Sequence, residues 1–316
     1  MLNDDLPREL GARFRVREAL RAGVGPARLR RADLARPFRG ARMRADADLP
    51  DAYRDTGGLD RRHLASALAF APMLTEHEFF SHVTAAVILG LPVPPWLVAE
   101  SPVHVSVLPP RRLRRATGVA GHEAMPHLTS IRTDPILGLP VTSPATTWAM
   151  LAALLPNTRD VVAVGDAAVR EWRRAAPHAS LSELTAAVRA GRRVGIERLR
   201  DALPLIRTRS ASRPESWMRL TLVDAGLPEP ELNHDVVAEG EDLGCVDLAY
   251  PRLRVAIEYE GDHHRSDPVQ WARDIRRYER LAAAGWLVIR VTRTDLFDDP
   301  RSVLARVRVA IATRAA

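Results

Sequence analysis

The stretch Arg252-Leu-Arg-Val-Ala-Ile-Glu-Tyr-Glu-Gly-Asp-His-His264 decides how the C-terminal part of this chain folds. With a period of two, Leu253, Val255, Ile257 and Tyr259 fall on one side of a strand, and Arg254, Ala256, Glu258 and Glu260 on the other. Two carboxylates two residues apart on one face lie roughly 7 Å from each other, close enough to share one cation. The strand ends at Gly261, beside Asp262, His263 and His264. Just upstream, Cys245-Val-Asp-Leu-Ala249 reads as a shorter strand carrying Asp247. Three carboxylates drawn together raise one another's pKa unless a cation neutralises them. The pattern therefore points to a divalent-metal site of the kind nucleases use.

Around this stretch, three strands are expected at Leu232–Ala238, Gly244–Ala249 and Leu253–Glu260, joined by turns short enough for an antiparallel meander. Before them, Pro214 opens a helix that runs to Ala225 and is closed by Gly226. Glu215 sits in its first turn, where a carboxylate also suits the helix dipole. After them, Asp267 caps a helix with Pro268 at its first position, running to Ala284. Trp271, Ile275, Tyr278, Leu281 and Ala282 form its apolar stripe, and Asp274 falls inside that stripe. A buried Asp needs a partner, for which Arg277 and Arg290 are the candidates. Trp286–Val291 is a short apolar strand broken by Arg290, and a last helix covers about 298–313.

The resulting order, α-β-β-β-α-β-α, with Asp247 on the second strand and Glu258-Tyr-Glu260 on the third, resembles the core of PD-(D/E)XK nucleases. More specifically, it is similar to very-short-patch-repair (Vsr)-like endonuclease domains. Glu215, Val246-Asp-Leu248, Ile257–His264, Asp274-Ile-Arg-Arg277 and Gly285–Arg290 carry the likeness, over about 100 of the 316 residues. The resemblance implies that Asp247 and Glu258 bind Mg²⁺ or Mn²⁺, with Glu215 completing the shell. It makes His264, in the Gly-x-x-His position, a general acid or base. Glu260 stands where the family motif has Lys, and all 46 basic residues of the chain are Arg. Arg273, Arg277 or a histidine is the expected stand-in, and because arginine cannot act as a base at neutral pH, either arginine recovers only the electrostatic part of that role. Asp274, Arg277 and Arg290 are expected to support the site.

The polar, Arg- and Ser-rich run Arg207–Pro214 is the clearest boundary in the chain. The reading is a winged helix-turn-helix-like segment over 1–50, a mostly helical middle domain with a few strands over 51–205, and a nuclease-like domain over 206–316. The overall class is α/β in the broad sense, α+β as a whole. In the first segment, helices over 6–22 and from Pro26 to Leu34 precede the basic extended stretch Pro37–Arg44. Arg28, Arg30, Arg31, Arg39, Arg42 and Arg44 would face phosphates there. In the middle, Thr75-Glu-His-Glu78 has capping-box spacing ahead of an expected helix Phe79–Leu89, and Ser143-Pro144 caps another. Ser81-His-Val-Thr-Ala-Ala86, Gly90-Leu91 and Thr142–Trp148 give this region a fainter resemblance to AbiEi-type antitoxins.

The histidines of Gly121-His-Glu-Ala-Met-Pro-His127 are five apart rather than four, and Pro126 forbids the helix that would align them. This stretch is therefore read as no zinc-protease motif. The run Arg111–Arg115 reads as a solvated loop that could also touch phosphate. The net charge of +7 favours an anionic partner, with nucleic acid first in line, and the nuclease resemblance makes double-stranded DNA the expected form. No apolar run reaches membrane-spanning length and no signal peptide is visible, so a cytoplasmic location is expected. A homodimer or a toxin-like protein partner fits the antitoxin-like resemblance. Lone Cys245 has no intramolecular disulfide partner. The rival to a DNA endonuclease is a DNA-binding regulator or antitoxin-like protein that keeps an inactive nuclease fold.

Overall fold

Gly11, at φ +65°, closes a 3-10 turn at Arg8–Leu10 and lets Arg13–Arg15 run extended as β1. The computed structural model describes residues 6–54, 56–112, 115–172, 176–261 and 268–315, without the side chains of 268–272. The chain divides into two compact units, Met1–Pro156 with Ala179–Arg200, and Asn157–His178 with Asp201–Ala316.

In the first unit, β1 pairs with β3 (Ala41–Arg44), which also pairs with β2 (Leu34–Ala35), both antiparallel. The helix expected over 6–22 is confined to Val16–Arg21, and the one expected from Pro26 is a 3-10 turn at Arg28–Arg30. Phe14 is buried from a strand rather than a helix, with Ala19, Val24, Leu29 and Leu34 around it. The spacing of Leu10 and Phe14 suits either geometry, and the turn at Gly11 selects the strand.

A second sheet has the order β6-β5-β4-β8-β7, with β4 (Phe79–Phe80), β5 (Val103–Val107), β6 (Val119–Glu123), β7 (Ile131–Thr133) and β8 (Pro140–Thr142). Glu78 accepts the Thr75 N–H at 2.8 Å, as the capping-box spacing predicts, yet β4 follows rather than a helix. Phe79 and Phe80 pair with Ser106 and Val105 of β5, and the helix begins only at His82. Burial of two adjacent aromatics on the sheet overrides the local capping signal. The expected cap at Ser143 holds: its Oγ accepts the Thr146 N–H at 3.2 Å, with Pro144 next.

In the second unit the helix Arg213–Asp224 precedes β9 (Glu231–Ala238), β10 (Glu241–Tyr250) and β11 (Val255–Glu260); the helix Pro268–Ala283 and β12 (Leu287–Thr292) follow. This is the expected α-β-β-β-α-β order. The sheet runs β12-β11-β10-β9, antiparallel except for the parallel β11–β12 pair. Val255 and Ile257 pack on one face with Met218, Leu222, Val303 and Val307. Ala256 packs on the other with Leu281 and Tyr278. The period-two reading of β11 is therefore realised, although the strand begins at Val255 rather than Leu253. Arg254, at φ +50° after a 3-10 turn, marks the change. The helix Thr158–Ala168 is tied to this unit through two buried carboxylates. Asp160 accepts from Arg213 Nε and Trp217 Nε1, both at 2.7 Å, and Asp166 accepts from Ser216 Oγ at 2.6 Å.

Candidate active site

Glu258 projects from β11 on the face covered by the helix Pro268–Ala283, and that helix supplies its partners. Arg277 grips both carboxylate oxygens: Nη1 donates to Oε2 at 3.1 Å and Nη2 to Oε1. The same Nη2 donates to the Cys245 carbonyl of β10. Tyr278 Oη lies 2.7 Å from Glu258 Oε2 and 2.9 Å from Glu260 Oε1, so one phenolic proton is shared between two carboxylates. Arg290 Nε, from β12, donates to Glu260 Oε1 at 2.6 Å. The Arg277 and Arg290 guanidinium carbons stand 5.7 and 5.0 Å from the Tyr278 ring centre. Burial works against the Arg277 charge, but the hydrogen-bonded Glu258 carboxylate more than offsets it and its pKa is raised.

Asp247 lies one residue before Leu248, which pairs with Ile257, and so enters beside Glu258. Its Oδ2 accepts the Tyr259 N–H at 2.8 Å. Burial first, then the charges of Glu215 and Glu258, push its pKa up to about 7 against the opposing pull of that N–H and Arg277. Glu215 enters from the first turn of its helix and is buried. Its Oε2 accepts from the Ala211 N–H at 2.8 Å and Asn233 Nδ2 at 2.7 Å, and its Oε1 from Ser212 Oγ at 2.8 Å. Burial outweighs these donors and its pKa is raised. The Glu215 carboxylate thus does more than complement a helix dipole: it acts on Asp247 directly.

Asp247 and Glu258, read from the strand pattern, and Glu215, implied by the resemblance, form one electrostatic cluster, while Glu260 joins Glu258 through Tyr278. Asp247, Glu258 and Glu215 are the residues that could hold a hard divalent cation: the set is all oxygen, with a repulsion that a cation would relieve, and since among the described residues their oxygens do not all lie within 4.8 Å of one another, they would have to draw closer around it. Arg277 and Arg290, expected as partners for half-buried Asp274, form ion pairs with Glu258 and Glu260. His264 and Asp267 lie outside the described residues. Sequence reading missed Asn233 and the double role of Tyr278. Asn233, at φ +47°, is buried and also donates to the Arg209 carbonyl at 2.6 Å. An Asn in the left-handed region is a local oddity that a strand pattern hides.

The N-terminal arginines divide into two groups. Arg28 forms a two-point pair with Asp33 at 3.0 and 2.7 Å, Arg42 donates to the Leu29 and Ala41 carbonyls, and Arg44 Nε donates to the Gly11 carbonyl. Arg30, Arg31 and Arg39 are exposed. Arg39 and Arg42 line a cavity of about 780 Å³ together with Arg36 and Arg115. Arg115, from the basic run read over 111–115, therefore contributes to the same basic surface.

Residues 231–311 match the REase_MTES_1575 family, a restriction-endonuclease-like family. The C-terminal domain is thus nuclease-like, and its span contains Asp247, Glu258, Glu260, Arg277 and Arg290. The chain is also 33% identical over 209 residues to two proteins of Mycobacterium tuberculosis, "Uncharacterized protein MT2308" from strain CDC 1551 and "Uncharacterized protein Rv2248" from strain H37Rv. Each alignment covers 66% of this chain and 74% of the relative. No solved structure gives a significant match.

Proposed function

The chain belongs to the same family as these mycobacterial proteins and carries a restriction-endonuclease-like C-terminal domain; from that membership we propose that it is a Mg²⁺-dependent DNA endonuclease of the Vsr-like kind, with a winged-helix-like N-terminal segment that binds DNA. The observation that carries the proposal is the burial of Asp247 beside the charges of Glu215 and Glu258, which together lift its pKa to about 7. A cation held by these three residues supplies Lewis-acid polarisation of the scissile phosphate and acidification of water.

The chain's own groups do the rest. Asp247 gives up its proton as the site loads. Tyr278 holds Glu258 and Glu260 together through its shared hydroxyl. Arg277 and Arg290 place two fixed positive charges beside the carboxylates, in the neighbourhood where the family motif has its Lys, and can stabilise charge developing on phosphate. Glu260 cannot orient a nucleophile as that Lys does, so the positive charge must come from these arginines.

The test is cleavage of plasmid and short labelled duplexes in Mg²⁺, Mn²⁺ or EDTA. Metal-dependent nicking is expected from the full chain, and Asp247→Ala and Glu258→Ala are each expected to abolish it. One observation favours a second reading, a DNA-binding regulator with an inactive nuclease fold: Arg277 engages both oxygens of Glu258, as a permanent counter-ion would. Duplex binding without cleavage in either metal would decide for that reading.

A further inference from the structure

Three histidines from separate segments of the first unit meet at one point. His82 stands at the first position of the helix His82–Ile88, His104 is in β5, and His122 is in β6. Each offers a ring nitrogen, and these nitrogens all lie within 4.8 Å of one another. The His82 and His122 ring centres are 4.1 Å apart, and the His104 and His122 planes are inclined by only 3°. His104 Nδ1 lies 2.9 Å from His122 Nε2. His82 adopts φ +49°, a conformation that non-glycine residues rarely take.

We propose that His82, His104 and His122 form a three-histidine site for a zinc-type transition-metal ion. Two of the three rings have their outer nitrogens held by serines. His104 Nε2 is 2.8 Å from Ser101 Oγ, and His82 Nδ1 is 2.9 Å from Ser81 Oγ. Ser81 Oγ also accepts from Ser106 Oγ at 2.7 Å. In the tautomer that donates its outer N–H to the serine, each of these imidazoles turns its other nitrogen inward as a lone pair. Metal-bound histidines are oriented by an outer hydrogen bond of this kind.

Two ring nitrogens 2.9 Å apart, as in the His104–His122 pair, require either one shared proton or one cation between them. Two nitrogens bound about 2.0–2.1 Å from a tetrahedral zinc are about 3.3 Å apart, so an opening of a few tenths of an ångström suffices. Imidazole nitrogen selects zinc-like ions over Mg²⁺, so this site and the carboxylate cluster draw on different metals.

The cluster is also accessible. His122 lines a cavity of about 620 Å³ with Arg112, Arg115 and Glu123. With three protein ligands and His122 at the wall of such a cavity, the site would leave a coordination position for water or an anionic group, as open rather than closed structural sites do. His122 is the first histidine of Gly121–His127, the stretch whose spacing excludes a zinc-protease motif. Its sequence neighbour His127 is exposed and lies in a 3-10 turn rather than a helix, as that exclusion requires. His122 draws its partners from elsewhere in the chain.

The test uses the full chain, stripped of metal and dialysed against Zn²⁺, with Co²⁺ as spectroscopic probe. One equivalent per chain and the intense visible bands of tetrahedral Co²⁺ are expected. Asp247→Ala should retain both, and His122→Gln should weaken binding at least tenfold. Ser101→Ala removes only an outer hydrogen bond and should weaken Co²⁺ binding by roughly tenfold; it keeps the test open if His122→Gln does not fold. No bound equivalent, an equivalent lost with Asp247→Ala, or binding unchanged in both His122→Gln and Ser101→Ala would overturn the proposal.

Discussion

Asp247 is where the chemistry of the site meets the stability of the fold. In an unfolded chain its carboxyl ionises near 3.9, whereas in the folded protein it does so at about 7. Between those values the folded state binds the extra proton, so this contribution to stability is full below about pH 4 and is lost as pH rises through about 7. In EDTA the protein should therefore become less stable between pH 5 and pH 8. Asp247→Asn, which cannot ionise, should flatten that slope and be the more stable protein at pH 8, by about 1–4 kcal/mol. Thermal melts at both pH values read this directly, and an unchanged slope in the variant would reject Asp247 as the strained group. The residues that create the strain were legible to different degrees. Glu258 and Asp247 follow from strand periodicity, which needs only local sequence. Asn233, which braces Glu215, depends on a backbone conformation that no side-chain pattern encodes.

Between elements, one ion pair joins β11 to the helix Pro268–Ala283. Glu258 is buried, and Arg277 and Tyr278 satisfy it from a single helical turn. Removing only the arginine leaves a buried carboxylate charge with a single phenolic donor. Arg277→Met should therefore cost roughly 3–5 kcal/mol, and combining it with Glu258→Leu should recover most of it. Urea denaturation of the two single variants and the double variant gives the coupling; additive losses would show that the pair does not hold the helix. This clamp was only half legible. The helix and its stripe follow from period 3.6, and Leu281 is buried as expected, but Ile275 is 42% exposed. Amphipathic spacing locates a face of about 100° without fixing its centre, and here the centre is turned toward the carboxylates. The same limit explains the N-terminal helix that became a strand: Leu10 and Phe14 fit both periods, and only the pairing of Phe14 with Arg42 of β3 separates them. The histidine cluster was illegible for a stronger reason, since its three segments converge only through sheet pairing and helix packing.

Over the whole molecule the dominant feature is charge, +7 with arginine as the sole cationic residue type at neutral pH. Guanidinium groups bind phosphate in a two-point fork and stay charged at any working pH, so electrostatic attraction to DNA should be strong and largely independent of pH. Not every arginine of the first unit is turned to phosphate, since Arg28 is occupied by Asp33, and Arg42 by backbone carbonyls. Arg30 and Arg39 are exposed and offer guanidinium charge at the surface of the N-terminal segment. Each phosphate contact contributes about 0.9 to the slope of log affinity against log salt for duplex DNA. Replacing both by Ser should lower that slope by about 2 and weaken binding equally for unrelated sequences, because phosphate contacts carry no base information. The carboxylate cluster is untouched by these changes, so at saturating duplex the variant should nick DNA at the full chain's rate. Fluorescence anisotropy across a salt series, paired with nicking at saturation, measures both halves. An unchanged salt slope would move the DNA contact away from these two arginines, and a lost rate at saturation would mean that they act on the cleavage step itself.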